Sequence, residues 1–192
     1  MQKDGHDMIK EFKAFVVREK MNDVFSRKIE TKKFEELPNN EVTIKVKYSS
    51  LNYKDALSSL GNKGVTKLYP HTPGIDASGI VISSSNKKFH EGDQVIVTGY
   101  DLGMNTPGGF SEYIRVPSDW VIKLPETISL KYAMAIGTAG LTAALCIDLL
   151  SKNSRIEERH AVVTGSTGGV GTIAVQLLSK LGAEITAVTG KN

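Results

Sequence analysis

The feature that most constrains the fold is the string Thr164-Gly165-Ser166-Thr167-Gly168-Gly169-Val170-Gly171, set between a valine-rich run and an amphipathic one. His160 to Thr164 reads as a short strand. Val170, Ile173, Ala174, Leu177, Leu178 and Leu181 then recur at helical spacing along one apolar face, and Gly182 stands where a C-cap glycine belongs. Glu184 to Thr189 reads as the next strand. Strand, helix and strand within about 30 residues make a βαβ unit. Glycines at G-x-x-G-x-x-G spacing let the backbone turn tightly, approach a pyrophosphate and bring helix close to strand. The helix N-terminus then points unpaired N–H groups and the positive end of its dipole at the phosphates. A glycine string alone would be weak evidence. Here it follows a strand and opens a helix, which favours dinucleotide binding over a purely structural turn.

The end of the second strand bears on which dinucleotide. An acid about 20 residues past the glycines would bond a ribose 2′-hydroxyl. This chain has Thr189-Gly190-Lys191 there. With no acid and a lysine that can pair with a 2′-phosphate, the expected cofactor is NADP(H). The alternative is that Lys191 is an ordinary solvated lysine.

Before this unit the periodicity is different. Phe12 to Val17, Val42 to Tyr48, Ile75 to Ser85, Gln94 to Thr98, Phe110 to Val116 and Val121 to Leu124 read as strands. One short helix, about Tyr53 to Leu60, interrupts them, and glycines punctuate the turns. An antiparallel barrel is the expected architecture. The period changes near Ser129, where Lys131 to Ala135 and Thr138 to Leu150 favour helix. The second of these is apolar nearly all round and is expected to be buried, with Cys146 as an inert thiol. The expected division is residues 1–128 for the β-rich part and 129–192 for the start of a nucleotide-binding part.

Bulk properties exclude several classes. Lys+Arg 24 against Asp+Glu 21 gives a net charge of +3, and the basic residues form no stripe, so nucleic acid is not an expected partner. The single cysteine permits neither an intrachain disulfide nor a cysteine zinc site. Charges at Lys3, Asp4, Asp7, Lys10 and Glu11 interrupt any apolar leader, and no stretch of about 18 uncharged apolar residues occurs. A cytoplasmic protein without a membrane span is expected.

Several strings, in order, carry a family resemblance. They are Ser49-Ser50-Leu51-Asn52-Tyr53-Lys54-Asp55, Pro73-Gly74-Ile75-Asp76, Gly92-Asp93-x-Val95, Gly108-Gly109, Ile136 to Ala143, and the glycine string itself. From about Ile9 to Lys191 the chain resembles the medium-chain dehydrogenase/reductase superfamily, in its zinc-free quinone-oxidoreductase-like division and nearest the acrylyl-CoA reductase branch. The resemblance implies a GroES-like barrel followed by a doubly wound Rossmann domain, with the active site in the cleft between. Zinc enzymes of the superfamily have a ligating Cys and a Gly-His-Glu where this chain has Asn52 and Gly74-Ile75-Asp76, so no metal is expected. His71 reads as a surface or packing residue, Asp76 as a cap for backbone N–H groups, and Trp120 as barrel packing.

What the resemblance implies for roles is hydride transfer from NADP(H) to an activated C=C (acrylyl-CoA, another enoyl thioester or an enone) or to a quinone. Tyr53 would lie beside the nicotinamide as proton or hydrogen-bond donor, or else as a packed aromatic shaping the cleft, with Asn52 and Asp55 flanking it. Thr138 would sit under the cofactor, Thr167, Gly168, Gly169 and Val170 on the phosphates, and Thr189, Gly190 and Lys191 around the 2′-phosphate. The superfamily's sheet needs two βαβαβ halves, and this chain ends at Asn192 after two strands. An incomplete Rossmann domain is therefore expected, with Val162, Val163, Ile185 and Val188 uncovered and a homo-oligomer as one consequence. The alternative is a truncated, non-catalytic nucleotide-binding or structural fragment. A short-chain dehydrogenase is disfavoured, because nothing downstream supplies its Tyr-x-x-x-Lys pair.

Overall fold

The computed structural model describes residues 9–21, 24–153 and 155–190, which form two compact units dividing between Ala135 and Ile136. The first is β-rich. Strands β1 (Glu11–Glu19) and β2 (Phe25–Lys33) make an antiparallel hairpin. Strands β3 (Val42–Tyr48), β4 (Asp76–Ser84), β5 (Gln94–Thr98), β6 (Tyr113–Val116) and β7 (Val121–Lys123) form an antiparallel sheet in the order β6-β3-β4-β5-β7. Its core is made of aliphatic side chains from alternate strand positions, Val42, Ile44, Val81, Val95, Val97, Ile114 and Val116, with Leu102. The antiparallel β-rich architecture expected from the sequence is thus present.

Strand β2 was not expected from the sequence. Its residues Phe-Ser-Arg-Lys-Ile-Glu-Thr-Lys-Lys do not alternate cleanly, none is buried, and Ile29 is 66% exposed. The strand exists because β1 offers a full ladder from Glu11 opposite Lys33 to Glu19 opposite Phe25. Arg18 and Glu30 add a bidentate cross-strand pair at 2.6–3.1 Å.

Helix α1 (Tyr53–Ser59) follows β3, and α2 runs over Leu130–Asn153. The two helical stretches expected there are joined, but Gly137 sits at φ +48, ψ −156 and breaks the helix. The first turn of α2 packs with the β-rich unit: Ser78 Oγ donates to the Leu130 carbonyl at 2.9 Å and Ser50 Oγ to that of Met134 at 2.7 Å. The change of periodicity at Ser129 therefore marks the start of a helix and comes before the boundary between the units. Residues 130–152 are long and apolar enough to cross a membrane by length and composition, with mean hydropathy 1.8, which qualifies the earlier expectation. Gly137 breaks the helix, and Ala133, Met134, Ala143 and Ile147 are its buried apolar side chains.

The second unit holds the parallel pair β8 (His160–Thr164) and β9 (Glu184–Val188) joined by α3 (Gly169–Lys180). Ile147, Ile156 and Leu178 are buried there, with Ala161, Val163, Leu177 and Ile185 packed against them. Val163 and Ile185 are thus covered, contrary to expectation, while Val162 and Val188 are 63% and 43% exposed. Alternate strand positions face opposite ways, and helices cover one face only. The same one-sidedness corrects two expectations about α2. Leu141, Leu145 and Leu149 form an exposed i, i+4, i+8 stripe at 43%, 60% and 63%, and Cys146 is an exposed thiol.

Candidate functional site

In the β-rich unit the site is built where three of the sequence strings meet. Asn52 is the N-cap of α1 in extended conformation, and Tyr53 is its first residue, 78% exposed. Asp55 is fully buried and turns back on the chain. One carboxyl oxygen accepts the N–H groups of Gly74 and Ile75, both at 3.0 Å, and the other accepts that of Asn52 at 2.8 Å. Burial pushes this carboxyl above its ordinary pKa, against the pull of the three backbone donors. Asp55 therefore holds backbone and has no surface to offer a ligand. The bonds to the amides of the Gly-Ile-Asp turn, expected from Asp76, come from Asp55. Asp76 is equally buried, and its Oδ2 accepts from Asn52 Nδ2 at 2.9 Å.

The turn needs its glycines. Gly74 has φ +111, and a Cβ there would meet the backbone nitrogens of Gly109 at 2.6 Å and Phe110 at 2.5 Å. Gly108 and Gly109 donate to the carbonyls of Thr72 and Gly74 at 2.7 and 2.8 Å, so a glycine pair distant in sequence closes on the Thr72 to Gly74 turn. Ser49 Oγ donates to the Asp76 carbonyl at 2.6 Å. Asn52, Asp55 and Asp76 are thus clamped from several sides. Among the described residues no three His, Cys, Asp or Glu side chains converge as a metal group, and Ile75 is buried.

His71 and Trp120 lie apart from this cluster. His71 is buried, edge-on to Tyr69, with no partner for Nε2 among the described residues, and burial lowers its pKa. Trp120 packs against the barrel core and stacks on Tyr100 at 5.4 Å.

In the second unit the glycine string forms the expected cradle. Gly165 leaves β8 at φ +62, and Gly168 donates back to its carbonyl at 2.9 Å before capping α3. Gly171 is buried, and a Cβ there would strike the Gly165 carbonyl. The N–H groups of Gly169, Val170 and Gly171 open the helix without an intrahelical partner, as in any first turn. Thr167, Gly168, Gly169 and Val170 are exposed, and nothing stands within 4 Å of where a Cβ on Gly165 or Gly190 would be. Thr167 Oγ1 and Thr189 Oγ1 lie 3.2 Å apart. Thr138 follows the α2 break, and its neighbour Ala139 lies 3.4 Å from a Cβ built on Gly169. Thr138, Thr167–Val170, Thr189 and Gly190 are thus gathered around one loop, while Lys191 lies outside the described residues. One member of the cradle was not singled out from sequence. Buried Ser166 donates through N and Oγ to the Val188 carbonyl, at 3.1 and 3.0 Å, and pins the loop to the end of β9. A short polar residue within the glycine string was the available signal.

Residues 38–126 match the alcohol dehydrogenase GroES-like domain. The yhdH oxidoreductase of Salmonella enterica, solved in complex with NADP, superposes with a TM-score of 0.90 at 41% identity, over 94% of this chain and 56% of that one. The chain carries an alcohol dehydrogenase GroES-like domain followed by a partial Rossmann-like region. Protein YhfP of Bacillus subtilis, solved with NAD bound, gives a TM-score of 0.89 at 46% identity over 95% of this chain and 55% of that one. The acrylyl-CoA reductase AcuI of Ruegeria pomeroyi is 43% identical over 157 residues, 81% of this chain and 48% of the relative. The chain spans about half the length of the curated relatives it matches.

Proposed function

We propose that the protein is an NADP(H)-dependent, zinc-independent reductase that delivers hydride to an activated C=C of the enoyl-thioester or enone class, with a quinone as the alternative acceptor. The observation that carries the reading is the cradle. Gly165 and Gly168 leave open space in front of the free N–H groups of α3, and Gly171 lets the helix close against the Gly165 carbonyl. A pyrophosphate fits it. The nicotinamide supplies the hydride when bound, and the protein supplies binding, orientation and charge stabilisation.

Thr167 to Val170 would hold the phosphates through backbone amides. Thr189, Gly190 and Lys191 would meet the adenosine 2′-phosphate, the basis for preferring NADP(H) over NAD(H). Tyr53 is the exposed O–H on α1 and would donate a hydrogen bond or proton. Asn52 and Ile75 replace metal ligands, so the substrate would be polarised by hydrogen bonds. The neighbour solved with NADP and the relative named for acrylyl-CoA both support this reading. A cytoplasmic location and a small-molecule substrate go with it.

The test is fluorescence titration of the purified chain with NADPH and NADH, with zinc measured by elemental analysis. NADPH should bind more tightly by about tenfold or more, from one charge-assisted bond to the extra phosphate. Lys191→Ala should erase most of that preference. Equal affinities, or one zinc per chain, would overturn the reading. The exposed leucine stripe of α2 favours a second reading for the chain by itself, a nucleotide-binding or structural piece without turnover. Consumption of NADPH with acrylyl-CoA or a small quinone separates the two.

A further inference from the structure

Tyr100 is held in a backbone conformation that a tyrosine rarely adopts. Its φ is +54, and among the described residues every other positive φ belongs to a glycine. Glycine or asparagine would make the same turn with less strain. The surroundings enforce it. Gly99, at φ +80, donates its N–H to the Ile75 carbonyl at 3.2 Å. Gly103 abuts the Gly74 backbone so closely that a Cβ would stand 2.5 Å from it. The loop that carries Tyr100 is therefore anchored on both sides of that residue to the glycine turn that Asp55 grips.

The side chain so placed makes a platform. The Tyr100 ring lies parallel to that of Trp120, with 8° between planes and 5.4 Å between centroids. Its hydroxyl donates to the Asp119 carbonyl at 3.2 Å. Trp120 packs in turn on the barrel core, so the stack rests on the most buried part of the unit. Yet Tyr100 is 61% exposed. The indole covers one face of its ring and leaves the other open. Packing alone would bury the ring, so a strained backbone that keeps it exposed marks a binding contact.

The charges nearby narrow the ligand. The segments that supply the two rings, residues 99–106 and 117–120, hold Asp101 and Asp119 and neither lysine nor arginine. Asp101 accepts from Asn105 Nδ2 at 2.9 Å and Thr106 Oγ1 at 3.2 Å. Such a surface repels phosphates and carboxylates. Stacked phenol and indole faces are electron-rich and favour a flat, electron-poor ring in offset contact. We propose that Tyr100, backed by Trp120, is a binding platform for a neutral, planar, electron-poor ring of the quinone class. The choice of a quinone rests on the acceptor class proposed above. The platform itself lies wholly within the β-rich unit and needs no nucleotide.

The full chain carries one tryptophan, Trp120, so its fluorescence reports directly on the platform. Duroquinone is the probe, because its fully methylated ring does not add to the exposed Cys146 thiol. It should quench Trp120 saturably and statically, with a Kd that agrees with equilibrium dialysis. Cyclohexane-1,4-dione, which has the carbonyls without the flat ring, should do neither. Tyr100→Gly suits the left-handed backbone and removes the ring. Its Tm should stay near the parent's, because relief of strain offsets the lost stack, while duroquinone binding weakens about tenfold. Tyr100→Phe should bind like the parent. Tyr100→Asn also tolerates a positive φ, should repeat the loss, and decides the matter if the glycine variant unfolds. Duroquinone binding that spares Trp120, equal binding of the dione, or unchanged affinity in the ringless variants each overturns the platform. A chain that binds duroquinone but no NADPH upholds the platform and overturns the nucleotide reading, so the two failures are distinct.

Discussion

The two units solve the problem of a glycine-built site in opposite ways. In the β-rich unit Gly74 is packed against the backbone of Gly109 and Phe110, and the polar groups around it are buried and bonded to one another. In the second unit Gly165 also has a positive φ, with open space where a Cβ would stand, and Thr167 to Val170 beside it are exposed. The first arrangement holds its side chains through buried hydrogen bonds. The second leaves room for something to enter. Crowding marks the frame and emptiness marks the receptor.

Substituting the two glycines is the most forceful way to break this comparison. Gly74→Ala should cost about 3 kcal/mol or more, since a left-handed backbone and a collision with backbone nitrogens act together. Gly165→Ala should cost only about 1–2 kcal/mol, the left-handed penalty alone. Chemical denaturation followed by signals from each unit measures both, and equal costs would mean that Gly74 is not the crowded position described.

The comparison also divides within α2. Ile147→Ala should destabilise the second unit by about 2–4 kcal/mol, because Ile147 is 7% exposed in a core with few buried partners. Leu145→Ala, two residues earlier and 60% exposed, should fall within about 0.5 kcal/mol of the parent. A large loss at Leu145 would show that the stripe is covered in solution by another surface, and light scattering would then reveal association.

The smallest expected effect is a pH dependence confined to the β-rich unit. Burial lowers the His71 pKa below its ordinary value, so folding favours the neutral ring. A depressed pKa of this kind gives stability that is fully present above the unfolded value and lost as pH falls. Tm should therefore begin to decline below about pH 6.5, before most carboxylates titrate. Asp101 partly offsets this and Lys32 reinforces it. His71→Leu should flatten the decline between about pH 6.5 and pH 5. An identical acid profile in the variant would remove His71 as its cause.

Much was determined by the sequence itself. The valine-rich strand, the spaced glycines and the amphipathic run after them fix the βαβ unit and its cradle, because periodicity and left-handed turns are local properties. The spacing of β3, β4 and β5 was equally legible, with Gln94 to Thr98 falling where the alternation placed it. Tertiary structure alone decided the rest. Strand β2 has no pattern of its own and exists through the ladder β1 provides. The exposure of Leu145 and Cys146 follows from which face of α2 found a partner, and an apolar run cannot announce that. Asp55 takes the backbone-capping role expected of Asp76 for the same reason. Both are acids beside a glycine turn in the sequence, and only folding brings the amides of Gly74 and Ile75 to one carboxylate and the Asn52 amide to the other. A residue's chemistry is written in its side chain, but its role is set by which donors and acceptors distant segments carry to it.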